Sequence, residues 1–140
     1  MAKILIVEDD ELVRQTMRHL LEGAGHIVEE ACDGSSGLDA AIRVQPDLVL
    51  TDILMPSQDG IELILQLRRQ QPEMRIVAIS GGGKFGSSMF LDVARALGAD
   101  DYLSKPFGKR DLLDKVQSAL GENLLPFGDA RSGVRQGRRV

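Results

Sequence analysis

Four polar positions follow short aliphatic runs, and their side-chain types complement one another. Glu8, Asp9 and Asp10 come after KILIV at residues 3–7, and Asp52 after LVLT at 48–51. Ser80 follows RIVAI at 75–79, and Lys105 with Pro106 stands just beyond DDYL at 100–103. Carboxylates gathered in one place repel one another until something neutralises them. A hard cation does so, and Mg²⁺ takes oxygen ligands in an octahedral set while keeping some water. At the tip of a buried strand, Asp52 would act as metal ligand and as nucleophile, because acyl phosphates are an established form of covalent catalysis. Lys105 would offer a cation to phosphoryl oxygens, and Ser80 a hydroxyl donor. Phosphoryl transfer depends mainly on positioning and charge stabilisation, so little more is required.

That chemistry needs a frame that carries all four ends to one edge. The first run, apolar and β-branched, reads as a buried parallel strand. Val13, Met17, Leu20, Leu21 and Ala24 then recur at helical spacing, and Gly25 stops the helix. Residues 27–31 read as a second strand, Asp33-Gly34 as a turn, and Leu38, Ala41 and Ile42 as the face of a second helix broken by Pro46-Asp47. The third strand is 48–51 and the stretch from Pro56 to Gly60 is loop. Ile61, Ile64, Leu65 and Arg68 outline a third helix that closes before Pro72. The fourth strand, 75–79, leads through a glycine-rich stretch to a fourth helix ending at Leu97, with Gly98 behind it. The fifth strand is 100–103. A last helix over 109–120 places Leu112, Leu113, Val116 and Leu120 on one face. Five strand–helix units imply an α/β fold, a doubly wound parallel sheet covered on both faces. In such sheets ligands bind beyond the carboxyl ends of the strands, near the switch in strand order.

Composition narrows the function. A chain of 140 residues suits one domain, and scarce aromatics make its core aliphatic. A net charge of −4 spread over the chain lacks the basic face that direct nucleic-acid binding needs. The single cysteine, Cys32, cannot form an internal disulfide, suits a reducing, cytoplasmic compartment, and reads as a small buried hydrophobe. MAKILIVEDD runs straight into charge, unlike a signal peptide, and no apolar stretch approaches the ~20 residues of a membrane span. GGGKFGSS at 81–88 is poor in apolar anchors and is expected to be mobile. From Gly121 the periodic pattern ends, so residues 121–140 read as a flexible Gly/Arg-rich tail after a domain of 1–120.

The segments ILIVEDD, PDLVLTDILMPSQDG, IVAISG and ADDYLSKPF, in that order and each at a predicted strand, resemble the receiver domain of two-component response regulators. The similarity covers residues 3–120. It implies a flavodoxin-like sheet of order 2-1-3-4-5 flanked by five helices, and phosphorylation by a sensor histidine kinase or histidine phosphotransfer protein with Mg²⁺. It makes Asp52 the phosphoacceptor and Glu8 with Asp9 the acidic metal pair, joined by the backbone carbonyl of Leu54. Ser80 and Lys105 would contact the phosphoryl group, and Ser80 with Tyr102 would form the switch. Lys105-Pro106 resembles the family's cis peptide. The leading reading is a stand-alone receiver whose output is docking of a protein partner, with dimerisation through the fourth helix, fifth strand and fifth helix left open; Asp100 and Asp101 could supply charges there.

Other readings of these residues remain. Asp10 suits a helix N-cap, which leaves Glu8 and Asp9 for a metal. His19 and His26 read as solvated. The run Gly81-Gly82-Gly83 lacks the GK[ST] ending of a phosphate-binding P-loop. Two other functions compete: the receiver part of a longer regulator without its output domain, and a phosphatase with an aspartyl nucleophile. The phosphatase would need a general acid close behind Asp52, where Ile53, Leu54 and Met55 stand.

Overall fold

A computed structural model of the chain describes residues 1–55, 59–81 and 86–121, with the backbone alone at Asp59 and at residues 86–91. Strands and helices alternate: β1 (Lys3–Val7), α1 (Glu11–Gly23), β2 (Ile27–Ala31), α2 (Gly34–Val44), β3 (Leu48–Asp52), α3 (Asp59–Gln70), β4 (Ile76–Ser80), α4 (Gly86–Leu97), β5 (Asp101–Ser104) and α5 (Lys109–Leu120). The strands form one parallel sheet in the order β2-β1-β3-β4-β5.

The aliphatic strands serve two cores at once, because successive side chains point to opposite faces. Ile4, Ile6, Leu48, Leu50 and Val77 meet Met17 and Leu21 of α1 and Leu112 and Val116 of α5. Leu5, Val7, Val49 and Ala78 meet Ala41 of α2, Leu63, Ile64 and Leu67 of α3, and Ala94 of α4. Each fully buried Leu or Ile contributes about 1.5–3 kcal/mol. Both faces of β3 and β4 are therefore closed, and polar groups on these strands must gather at their ends.

Local chemistry fixes where helices begin. Asp10 caps α1, its Oδ1 accepting from the backbone N–H groups of Leu12 at 3.0 Å and Val13 at 3.2 Å. Such a cap is worth about 1 kcal/mol, and it turns Asp10 toward the helix. Asp33 caps α2 by accepting from Ser36 N–H at 2.8 Å. Gly34 is thus the first residue of α2 rather than part of a turn. Gln45, at φ 53, ends α2 and Pro46 prevents its continuation.

Several expectations are corrected. Ile42 points outward, at 42% exposure, so it lies off the buried face of α2. β4 and β5 each start and end one residue later than the apolar pattern suggests. At the start of the pair Asp100 bonds Ile76 twice, its N–H donating to Ile76 O and its carboxylate accepting from Ile76 N–H, both at 2.8 Å, and at the far end Ser80 pairs with Ser104. Cys32 is exposed, because it stands beyond the end of β2, its thiol 3.9 Å from Asp33 Oδ2. His26 is half-buried, and its Nδ1 accepts from Ala2 N–H at 3.1 Å. Half of the stretch 81–88, residues 82–85, and nearly all of the tail 121–140 lie outside the described residues, as does most of the loop from Pro56 to Gly60. No helix among the described residues is long and apolar enough to cross a membrane.

Candidate functional site

Strand order reverses between β1 and β3, which lead respectively to β2 on one side and β4 on the other. The crevice at such a switch point is where doubly wound sheets bind ligands. Glu8 and Asp52 stand on its two sides.

At the end of β1 the ladder with β2 runs one step further, Glu8 N–H donating to Ala31 O at 3.1 Å. The chain then turns, and Asp10 N–H donates to Glu8 Oε2 at 3.1 Å. At the end of β3, Asp52 Oδ1 accepts from Leu54 N–H at 2.9 Å. Glu8, Asp9 and Asp52 each bring a carboxylate oxygen to within 4.8 Å of the others. Glu8 and Asp52 are buried and Asp9 is exposed, so the cluster opens toward solvent on the Asp9 side.

Lys105 arrives from the other side of the sheet. Its backbone N–H donates to Ser80 O at 2.7 Å, extending the β4–β5 ladder, and its bond to Pro106 is cis. Its ammonium donates to Glu8 Oε1 at 3.0 Å and to Asp52 Oδ2 at 2.9 Å. Burial pushes the Glu8 carboxyl above its ordinary range, against the hydrogen bonds from Lys105 and from Asp10 N–H, with the charge of Asp52 adding to the rise. Burial would lower the Lys105 ammonium, but its hydrogen bonds to Asp52 and Glu8 outweigh this and raise it. Lys105 is therefore charged at neutral pH. Two carboxylates hold this one ammonium and Asp9 adds a third beside them, and the excess of negative charge and hard oxygen donors fits a divalent cation such as Mg²⁺.

Ser80 is 1% exposed, and its Oγ has no hydrogen-bond partner among the described residues. A buried hydroxyl without a partner costs free energy, and such groups in native proteins call for a functional explanation. Its neighbour Ile79 pairs in register with Asp52. Leu54 puts its backbone beside Asp52 and leaves its side chain half exposed. Tyr102 sits half-buried on β5 opposite Ala78, packed against the core under α2, α3 and α4.

Two residues that sequence reasoning passed over also touch the site. Gly60, in the first turn of α3, lies so close that a Cβ there would stand 1.9 Å from Asp52 O. Arg14 of α1 donates through Nη1 to Glu8 O at 2.8 Å. The Asp59-Gly60 pair was a signal for Gly60 had it been read as a close approach rather than a loop. No local pattern marks Arg14, because its contacts are tertiary.

A doubly wound parallel sheet with clustered carboxylates and a bridging lysine at its switch point defines a flavodoxin-like α/β domain with an acidic site. The model of the response regulator receiver domain matches residues 4–117, and the chain belongs to that family, the receiver domains of two-component systems. Members of this family are regulators rather than classical enzymes. The chain is 33% identical over 141 residues to the alkaline phosphatase synthesis transcriptional regulatory protein PhoP of Bacillus subtilis, covering 99% of this chain and 57% of that protein. It is 37% identical over 119 residues to the response regulator MprA of Mycobacterium sp. strain KMS, covering 84% and 50%. The chain thus spans about half the length of these curated relatives. Among solved structures, the chemotaxis response regulator CheY4 of Vibrio cholerae superposes with a TM-score of 0.76 at 32% identity, covering 85% of this chain and 98% of that one. NtrX of Brucella abortus, solved with ADP, gives 0.78 at 32% identity, covering 86% and 27%.

Proposed function

We propose that Asp52 accepts a phosphoryl group from a phosphohistidine on a sensor histidine kinase or phosphotransfer protein. A carboxylate oxygen of Asp52 attacks phosphorus, the N–P bond breaks, and the electron pair leaves with the imidazole. Glu8, Asp9, Asp52 and the backbone carbonyl of Leu54 would hold Mg²⁺, which supplies positive charge to the phosphoryl oxygens during transfer. Lys105 already sits on Asp52 Oδ2, and its ammonium would pass to the incoming phosphoryl oxygens. Ser80 would donate its unpartnered hydroxyl to the same group. Tyr102, on the next strand, would then change rotamer and alter the surface offered to a protein partner.

The observation that carries this reading is the clustering of Glu8, Asp9 and Asp52 at the switch point, with Glu8 and Asp52 sharing one lysine. Incubation with acetyl phosphate and Mg²⁺ should add one phosphoryl group by intact mass, and Asp52→Asn should add none. Equal labelling of that variant would overturn the assignment. The output partner is a protein, sought by pull-down with the beryllofluoride-treated chain against the untreated one. Gel filtration of the two forms reads whether α4, β5 and α5 join two copies; in the untreated structure Asp100 and Asp101 are paired within the chain, to Arg68 and Lys115.

A further inference from the structure

Glu8 and Asp9 are consecutive, yet both carboxylates must turn toward Asp52. Their relative direction is set by the peptide plane between them, whose oxygen is the Glu8 carbonyl. The plane's orientation is not held by the sheet on that side, since the β1–β3 pairing ends at Val7 and Thr51. Arg14 supplies the missing contact, its Nη1 donating to Glu8 O at 2.8 Å.

The guanidinium is itself fixed. Arg14 Nε donates to Glu30 Oε1 at 2.8 Å, and its side chain is only 15% exposed. Glu30 stands on β2 opposite Ile6, so it is anchored in the sheet. It also pairs with Arg18, one turn along α1. Arg14 N–H donates to Asp10 O at 2.9 Å within the first turn of the capped helix. The arginine therefore ties three rigid parts together: the start of α1, the middle of the sheet edge, and the peptide that joins the two acids. A planar fork with several donors can make both contacts at once, whereas a lysine has one point of charge.

We propose that Arg14 is a positioning residue for the divalent-cation site, orienting the Glu8–Asp9 peptide so that both carboxylates reach the same ion. This rests on the metal-site reading above. Groups that orient metal ligands from behind are commonly worth about 10- to 100-fold in affinity.

Arg18 provides a matched control, because it pairs with the same Glu30 but makes no contact with Glu8. Mg²⁺ binding would be measured calorimetrically on the parent chain, Arg14→Ala, Arg14→Lys, Arg18→Ala and Asp9→Ala, with urea stability in EDTA measured alongside. Arg14→Ala should bind Mg²⁺ about tenfold more weakly or worse, and Arg14→Lys should not restore affinity. Arg18→Ala should keep parental affinity even where it loses stability. Parental affinity in Arg14→Ala, or an equal loss in Arg18→Ala, overturns the positioning role while leaving the metal site intact. Failure of the parent to bind Mg²⁺, or full binding by Asp9→Ala, overturns the metal site itself and this role with it. Should Arg14→Ala fail to fold, Arg14→Lys decides alone: parental affinity refutes the proposal.

Discussion

The two edges of the sheet handle charge in opposite ways. At the amino edge, charged side chains close onto main-chain groups of neighbouring segments. Asp47 accepts from Lys3 N–H at 2.9 Å and Asp100 from Ile76 N–H at 2.8 Å. Arg75 donates to Ala119 O at 2.9 Å, and Arg68 donates to the carbonyls of Gly98, Pro72 and Met74 at 2.9, 2.8 and 2.7 Å. At the carboxyl edge, Glu8 and Asp52 share one lysine, Asp9 stands beside them, and Ser80 Oγ lacks a partner among the described residues. At one edge these charges meet main-chain groups of the chain itself; at the other the proposed function would bring a cation and a phosphoryl group to the acids and the serine. Fold stability and chemistry are thereby placed at opposite ends of the same strands, and substitutions at the two edges should separate them.

The largest effect is expected at the amino edge. Arg68→Ala removes three carbonyl contacts and an ion pair with Asp100, and should cost about 3 kcal/mol in urea unfolding. The acetyl phosphate labelling rate of the folded fraction should stay at the parental value. A slowed rate would break the separation of the edges. Next comes Gly60→Ala. An added Cβ 1.9 Å from Asp52 O forces the start of α3 or the end of β3 to move. Labelling should slow by about tenfold, since small misplacements of a reacting group are costly. Labelling at the parental rate would show that α3 alone gives way.

Glu8→Gln should act in the reverse sense on stability. Because burial already favours the neutral form of Glu8, removing its charge should stabilise the metal-free chain by about 1 kcal/mol while weakening Mg²⁺ binding. A variant that is less stable in EDTA would mean that the hydrogen bond to Lys105 outweighs the burial cost. The smallest effect concerns Glu30, away from the metal ligands. Its hydrogen bonds to Arg18 and then Arg14 hold its carboxyl below the ordinary value of 4.5. The unfolded chain therefore binds this proton more tightly than the folded one. The stabilisation is complete above 4.5 and is lost as pH falls through the lowered folded value. Because the pair is partly exposed, a few tenths of a kcal/mol are expected. The stability gap between the parent and Glu30→Gln should narrow over that window, and a gap constant with pH would refute the assignment.

Much of this was legible in the sequence, and the reason is that a parallel sheet buried on both faces leaves polar residues few places to stand. Runs such as LVLT and IVAI can only be interior strands, so Asp52 and Ser80 had to be strand ends. Asp10 reads as a helix cap because its spacing to α1 is local. The order of the strands came from the family resemblance and agrees with the sheet. What remained hidden was decided by contacts between distant parts of the chain. Lys105 lies 97 residues from Glu8, and only closure of the sheet shows that both acids share its ammonium. Arg14 looks like any charge on an amphipathic helix until β2 brings Glu30 beneath it. Cys32 has the residue type of a buried position, but the sheet ends before it. Residue type and spacing determine which groups are delivered to the edge, because they act through strand and helix periodicity. Which of those groups meet, and which lack a partner, depends on packing that no local pattern encodes.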